Sequence, residues 1–172
     1  MKHAGLWAIA IAAILVVGGV AAYFLLYQGE VAVYVKDAPG TWAHVYVTFS
    51  GVAIHESGQG NASWTNVSST KQTVDLAVLT NVSQLLGSVR LNPGHYEQIR
   101  LSVVNVTGVL SGTNQTVTIS VPPDNATLKV VGQFTVSSGQ TTSITVDIFL
   151  DRSIHDVNGT WMFTPVVGST VG

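Results

Sequence analysis

The chain has 172 residues, of which 9% are charged, with a net charge of −2 and no cysteine. That balance offers no basic field for nucleic acid, and the lack of thiols excludes disulfides, thiolate catalysis, iron–sulfur clusters and cysteine-based zinc sites. With a leading apolar run set aside, the length suits one domain of roughly 140 residues, enough to fold on its own hydrophobic core.

After Met1, Lys2 and His3, the stretch Ala4–Tyr27 carries no charged side chain. A helix over it rises about 36 Å, enough to cross a hydrocarbon core about 30 Å thick. Trp7 near one end and Tyr23 and Tyr27 near the other suit the two interfacial belts of a bilayer. Lys2 on one flank and Glu30 on the other put the N-terminus in the cytoplasm and the remainder outside, by the positive-inside rule. Residues 1–29 therefore read as a signal-anchor or transmembrane segment in the lipid bilayer, and residues 30–172 as an extracytoplasmic domain. Two processed forms compete with a retained anchor. A signal peptide cut after Val20-Ala21-Ala22 would leave Tyr23–Tyr27 as an exposed apolar terminus, and a pilin-like leader cut after Gly5 would free the run for filament assembly.

Beyond Gln28 the pattern changes to strands. Val31, Val33 and Val35 alternate with Ala32 and Tyr34, and Asp37-Ala38-Pro39-Gly40 ends the strand with turn chemistry. From Trp42 to His55 the apolar sets Val45, Val47, Phe49 and Val52, Ile54 change phase near Ser50-Gly51, which predicts a strand pair or one bent strand with a bulge. Residues 57–71 read as a hairpin loop with a short strand around Trp64. An apolar stretch, Val74–Leu79, follows, and Thr80 is placed to cap a short helix through Leu86. Asn92-Pro93-Gly94 is a turn before a strand from His95 to Val104. Further strands are expected over Gln115–Val121, Leu128–Val131, Phe134–Val136, Thr142–Leu150 and Trp161–Val167. Many short strands with polar turns predict an all-β antiparallel sandwich behind one N-terminal helix.

Asparagine gives independent information on location. Of eight Asn, seven head an Asn-x-Ser/Thr sequon: Asn61, Asn66, Asn81, Asn105, Asn114, Asn125 and Asn158. Ser and Thr together make up 33 of the 172 residues, so chance gives about 1.5 sequons among eight Asn. The excess predicts N-glycosylation outside the cytoplasm, with glycans solvating a surface poor in Lys and Glu and blocking strand-edge pairing.

Sites for chemistry are sparse. His44, His55, His95 and His155 have Asp37, Glu56, Glu97 and Asp156 as candidate co-ligands, but no His-x-His or His-x3-His pair occurs, and scattered turn or surface histidines are expected. Asp147 and Asp151 fall at i and i+4 of one expected strand, roughly 13 Å apart, too far for a catalytic carboxylate pair. Trp42, Trp64 and Trp161 are candidates for a sugar-stacking platform, against a reading as core and edge packing, and Trp64 is the most exposed by context. Nucleophile elbows, phosphate loops and calcium loops are absent from the sequence. No catalytic, cofactor or metal set is assigned.

The segments VAVYVKDAPG, VYVTFSGVAIH, TVDLAVLTN, LNPGHYEQIRLSV, LKVVGQFTVSSGQTTSITVDIFLDRSIH and WMFTPVV run in order over residues 31–167. In them the chain resembles the domain of unknown function 4382 family of secreted or membrane-anchored bacterial and archaeal proteins. The resemblance implies a transthyretin-like (prealbumin-like) β-sandwich and no established activity. The Pro93-Gly94-x-Tyr96 turn is also similar to one in non-catalytic carboxypeptidase regulatory-like modules. Sequon density and low charge depart from the family pattern and suggest an archaeal-type glycosylated surface member. The expected role is a non-catalytic structural or interaction module, not an enzyme. Its partners would be cell-envelope proteins, envelope glycans or neighbouring copies through an edge strand. The alternatives are a ligand- or metal-binding accessory domain of a membrane complex, or a filament subunit.

Overall fold

The structure, a computed structural model, describes residues 3–37, 42–58 and 64–172; the side chains of residues 3–12, 24, 25, 125 and 131 fall outside that description. The expected turn at residues 38–40, the sequon Asn61 and the side chains of Trp7 and Asn125 therefore lie outside the described residues.

Helix α1 (His3–Tyr27) is followed after Gln28 by β1 (Gly29–Asp37). Among the described residues, no helix is long and apolar enough to cross a membrane. The helix meets the next domain directly. Leu26 O accepts from Ser138 Oγ (3.1 Å), Gln28 O from Gly139 N (3.2 Å), and Gln140 O from Glu30 N (2.9 Å).

Among the described residues, twelve strands then build two sheets and a hairpin. The first sheet has the order β12 (Val167–Val171), β9 (Thr141–Ile148), β1 and β5 (Gln84–Leu91). Its centre is valine-rich and alternating: Val31, Val33 and Val35 of β1 are fully buried, and Thr142, Ile144, Val146 and Ile148 of β9 face the same way. The second sheet is organised on two long antiparallel strands, β2 (Trp42–Glu56) and β6 (Gly94–Leu110). β3 (Trp64–Ser68) and β4 (Gln72–Asp75) share the outer edge of β2, while β7 (Thr116–Ile119) and β8 (Thr127–Val136) share that of β6. The hairpin of β10 (Ile154–Val157) and β11 (Thr160–Phe163) bridges to Ser120, just past β7. Inward side chains of both sheets join in one core that includes Phe49, Leu101, Val103, Ile144, Leu150 and Phe163.

The two long strands bend at one level. β2 slips register between Phe49 and Gly51, as its phase change predicts, and opposite it β6 pushes out Val104, which is 51% exposed. On one side of that level the neighbours are β4 and β7, and on the other β3 and β8. Strands of 15 and 17 residues would run about 50–57 Å if straight, against about 30 Å for the 9 residues of β1. The paired bulges let the long strands curl over the shorter sheet.

Three expectations are corrected. Thr80–Leu86 is no helix: a short 3-10 helix (Leu76–Val78) leads into β5, whose Gln84 and Leu85 pair with Val35 and Tyr34. β1 needs a partner for its free N–H and C=O groups, and Gly87 fits where a Cβ would come within 3.0 Å of the Ser68 Cβ of β3. The expected Trp161–Val167 strand breaks at Pro165, so that β11 and β12 belong to different sheets. The sandwich is also not wholly antiparallel. β1 and β9 run parallel from Glu30↔Thr141 to Asp37↔Ile148, with the whole second sheet as their crossover connection.

Candidate functional site

The sequons are the most numerous candidate sites. All five acceptors with described side chains are exposed: Asn66 on β3, Asn81 in the link before β5, Asn105 on β6, Asn114 after β6 and Asn158 between β10 and β11. Asn105 shares its outward face with its own sequon hydroxyl, Nδ2 lying 3.3 Å from Thr107 Oγ1. Asn114 (φ 54°) and Asn158 (φ 53°) take the left-handed backbone that Asn tolerates better than other non-glycine residues. Asn158 and Gly159 (φ 81°) form the two-residue turn of a tight hairpin, and Gly159 N donates to Asp156 Oδ1 at 2.7 Å. Asn81, Asn114 and Asn158 lie toward the end of the sandwich remote from α1: Asp37 N, at the far end of β1, donates to Leu79 O, β6 ends opposite Trp42 where β2 begins, and β9 ends opposite Asp37 shortly before the β10–β11 hairpin.

The histidines are not brought together. His44 Nδ1 lies 2.7 Å from Asp75 Oδ2, with Asp75 Oδ1 accepting from Val45 N (3.0 Å) and the imidazole stacked on Tyr46. His55 Nδ1 lies 3.1 Å from Glu97 Oε1, and His95 Nδ1 3.2 Å from Thr135 Oγ1. His95 thus turns to β8 and Glu97 to β2. His155 is exposed on β10. Among the described residues no three His, Asp or Glu side chains stand close enough to hold a metal ion.

The carboxylates have structural partners. Asp147 Oδ2 pairs with Lys36 Nζ at 2.9 Å across the parallel β1–β9 contact. Asp151 leaves the expected strand face altogether and lies on the short helix α2 (Leu150–Ser153). Asp37 is 1% exposed, and its Oδ1 accepts from Leu150 N (3.0 Å), tying the end of β1 to the start of α2. Tyr96 is buried; its hydroxyl donates to Asn92 O four residues upstream (2.8 Å), and its ring stacks on Phe134. Burial first, and the Glu56 carboxylate second, push the Tyr96 phenol above its ordinary value.

The tryptophans form two clusters rather than one platform. Trp42 and Trp161 meet edge-to-face with centroids 5.0 Å apart, over Gly108, where a Cβ would lie 2.5 Å from the Trp42 ring. Trp64 sits at the other end of β2, opposite His55, with the Arg100 guanidinium 3.7 Å from its ring centroid. Arg100 reaches it across Ala53, its cross-strand neighbour, whose methyl side chain leaves the path open. Sequence reasoning missed this cation–π pair, because nothing along the chain links position 64 to position 100.

A concave trough of about 380 Å³ crosses the outer face of the first sheet. Lys36, Thr145 and Thr170, on β1, β9 and β12, form its floor, and residues 80–83 form its wall. Hydroxyl groups dominate the lining, and the one cation there is neutralised by Asp147.

A family described as a domain of unknown function (DUF4382) matches residues 28–165. Among solved structures, the chain is similar to a candidate cell adhesion protein from Bacteroides fragilis NCTC 9343, at 13% identity and a TM-score of 0.35. The match covers 85% of this chain and 45% of that one, so the chain spans less than half of its length. A shared fold does not follow at that score. No curated protein matches the chain. With the family match running from the last residue before β1 to the link before β12, the chain belongs to the DUF4382 family.

Proposed function

We propose that the chain is a non-catalytic surface module, an archaeal-type glycosylated member of its family, held to the membrane by α1. It would display a transthyretin-like sandwich to proteins or glycans of the cell envelope. The observation that carries this reading is the sequons. They number seven where chance gives about 1.5, and each of the five with described side chains is exposed. Asn is commonly a surface residue, so the weight rests on number and placement together. For the anchor, the support is the uncharged run Ala4–Tyr27 of the full sequence, helical in its backbone; the described residues alone hold no helix long and apolar enough to cross a membrane. With Gln28 as the only residue between helix and β1, the sandwich would rest on the bilayer without a stalk.

The test is topology in intact cells. External protease should remove the sandwich, and alkaline carbonate should leave α1 with the membrane. A sandwich protected from external protease, or a full chain released by carbonate, would contradict the reading.

A further inference from the structure

The trough on the first sheet is walled by a sequon. Asn81 and Ser83, the acceptor and hydroxyl positions of Asn-Val-Ser, both line it, together with Val82, which is 59% exposed. Across the floor, Lys36, Thr145 and Thr170 stand on three successive strands, Thr145 and Thr170 in register and Lys36 two residues along, about 12 Å from first to last at ordinary strand spacing. The other described acceptors differ: Asn114 and Asn158 project from turns, and Asn66 and Asn105 stand on strands of the second sheet.

We infer that the trough is the seat of the glycan carried by Asn81, whose first sugars lie across the sheet instead of extending into solvent. The inference rests on the glycoprotein reading above. The chemistry of the lining suits a sugar. Thr80, Ser83, Thr145 and Thr170 offer hydroxyls that donate and accept, and Val82 offers an apolar surface for the C–H face of a pyranose. The Lys36 ammonium is already matched by Asp147 at 2.9 Å, which leaves little pull on a charged ligand. The volume falls in the range of about 300–1,000 Å³ typical of small-molecule sites. An open, hydroxyl-lined surface binds a free sugar weakly. A covalent tether at its wall raises the effective concentration to the millimolar range or above, where weak contacts become populated.

The test uses the full chain purified in detergent from its native host. N81Q and S83A each remove the sequon, in the parent and in a T145V/T170V background that keeps strand propensity and side-chain volume. Glycopeptide mass spectrometry establishes occupancy, melting gives Tm, and hydroxyl-radical labelling reads the exposure of Val82 and Lys36. A seated glycan predicts that N81Q and S83A each lower Tm by about 2–4 °C in the parent and by clearly less in T145V/T170V. It also predicts that labelling of Val82 and Lys36 rises in N81Q. Equal Tm changes in both backgrounds with unchanged labelling would overturn the seat. If T145V/T170V fails to fold, the labelling comparison of parent and N81Q decides alone. Asn81 bare while Asn114 or Asn158 is modified overturns the seat and leaves the surface-glycoprotein reading standing; all acceptors bare overturns both.

Discussion

Tyr96 and Asp37 each hold the sandwich together through one polar atom in an apolar setting. The Tyr96 hydroxyl bonds back across the Asn92-Pro93-Gly94 turn, as in the tyrosine corners of other β-sandwiches. Tyr96→Phe should cost about 0.5–1.5 kcal/mol, read from a urea midpoint at neutral pH. It should also change the alkaline limb. The folded state holds the phenolic proton more tightly than the unfolded state does. Stability is therefore lost as pH rises past the ordinary tyrosine value of 10.0. Tyr96→Phe should lack that part of the decline. Asp37→Ala would leave the Leu150 N–H without its acceptor, for a loss of about 1–3 kcal/mol, and Asp37→Asn, which keeps a carbonyl oxygen there, should lose less on denaturation. The turn before Tyr96 was legible from Pro93-Gly94, and the acceptor of its hydroxyl was not. The Asp37–Leu150 bond spans 113 positions and leaves no local trace.

Among the elements, those whose pattern reports burial were legible. β1 announces itself by its valines, and the bulge in β2 by its phase change, because a period of two must slip by one residue to keep both apolar sets inside. β5 was hidden because its environment decides its structure: a stretch with Leu85 and Leu86 just before Gly87 becomes a strand when an open sheet edge needs pairing. The parallel β1–β9 contact was equally hidden, and with it the Lys36–Asp147 pair and the trough floor, which draws on positions 36, 145 and 170. The α1–β1 junction rests on Gly29. A Cβ there would strike Ser137 O and lie 2.6 Å from Val136 Cγ1, so the β8–β9 turn can close on the helix end only over glycine. Gly29→Ala should destabilise the sandwich by about 1–3 kcal/mol on chemical denaturation and open the Gln28 region to limited proteolysis.

Over the whole molecule, the edges of the first sheet are sheltered by the second. β5 lies against β3, and Gln72 Nε2 donates to Leu85 O (3.2 Å), taking up an edge carbonyl; β12 lies beside β8, near Gly132. Sheltered edges resist strand-to-strand aggregation, but a chain with only 9% charged residues still needs another source of surface hydration. Glycans at the sequons would supply it, at the end remote from α1 and over both outer faces. The most direct test is glycopeptide mass spectrometry of the chain isolated from its native membranes. Several of Asn66, Asn81, Asn105, Asn114 and Asn158 should be modified, on a chain that retains Ala4–Tyr27. A membrane-derived chain with every one of these Asn unmodified would contradict the glycoprotein reading.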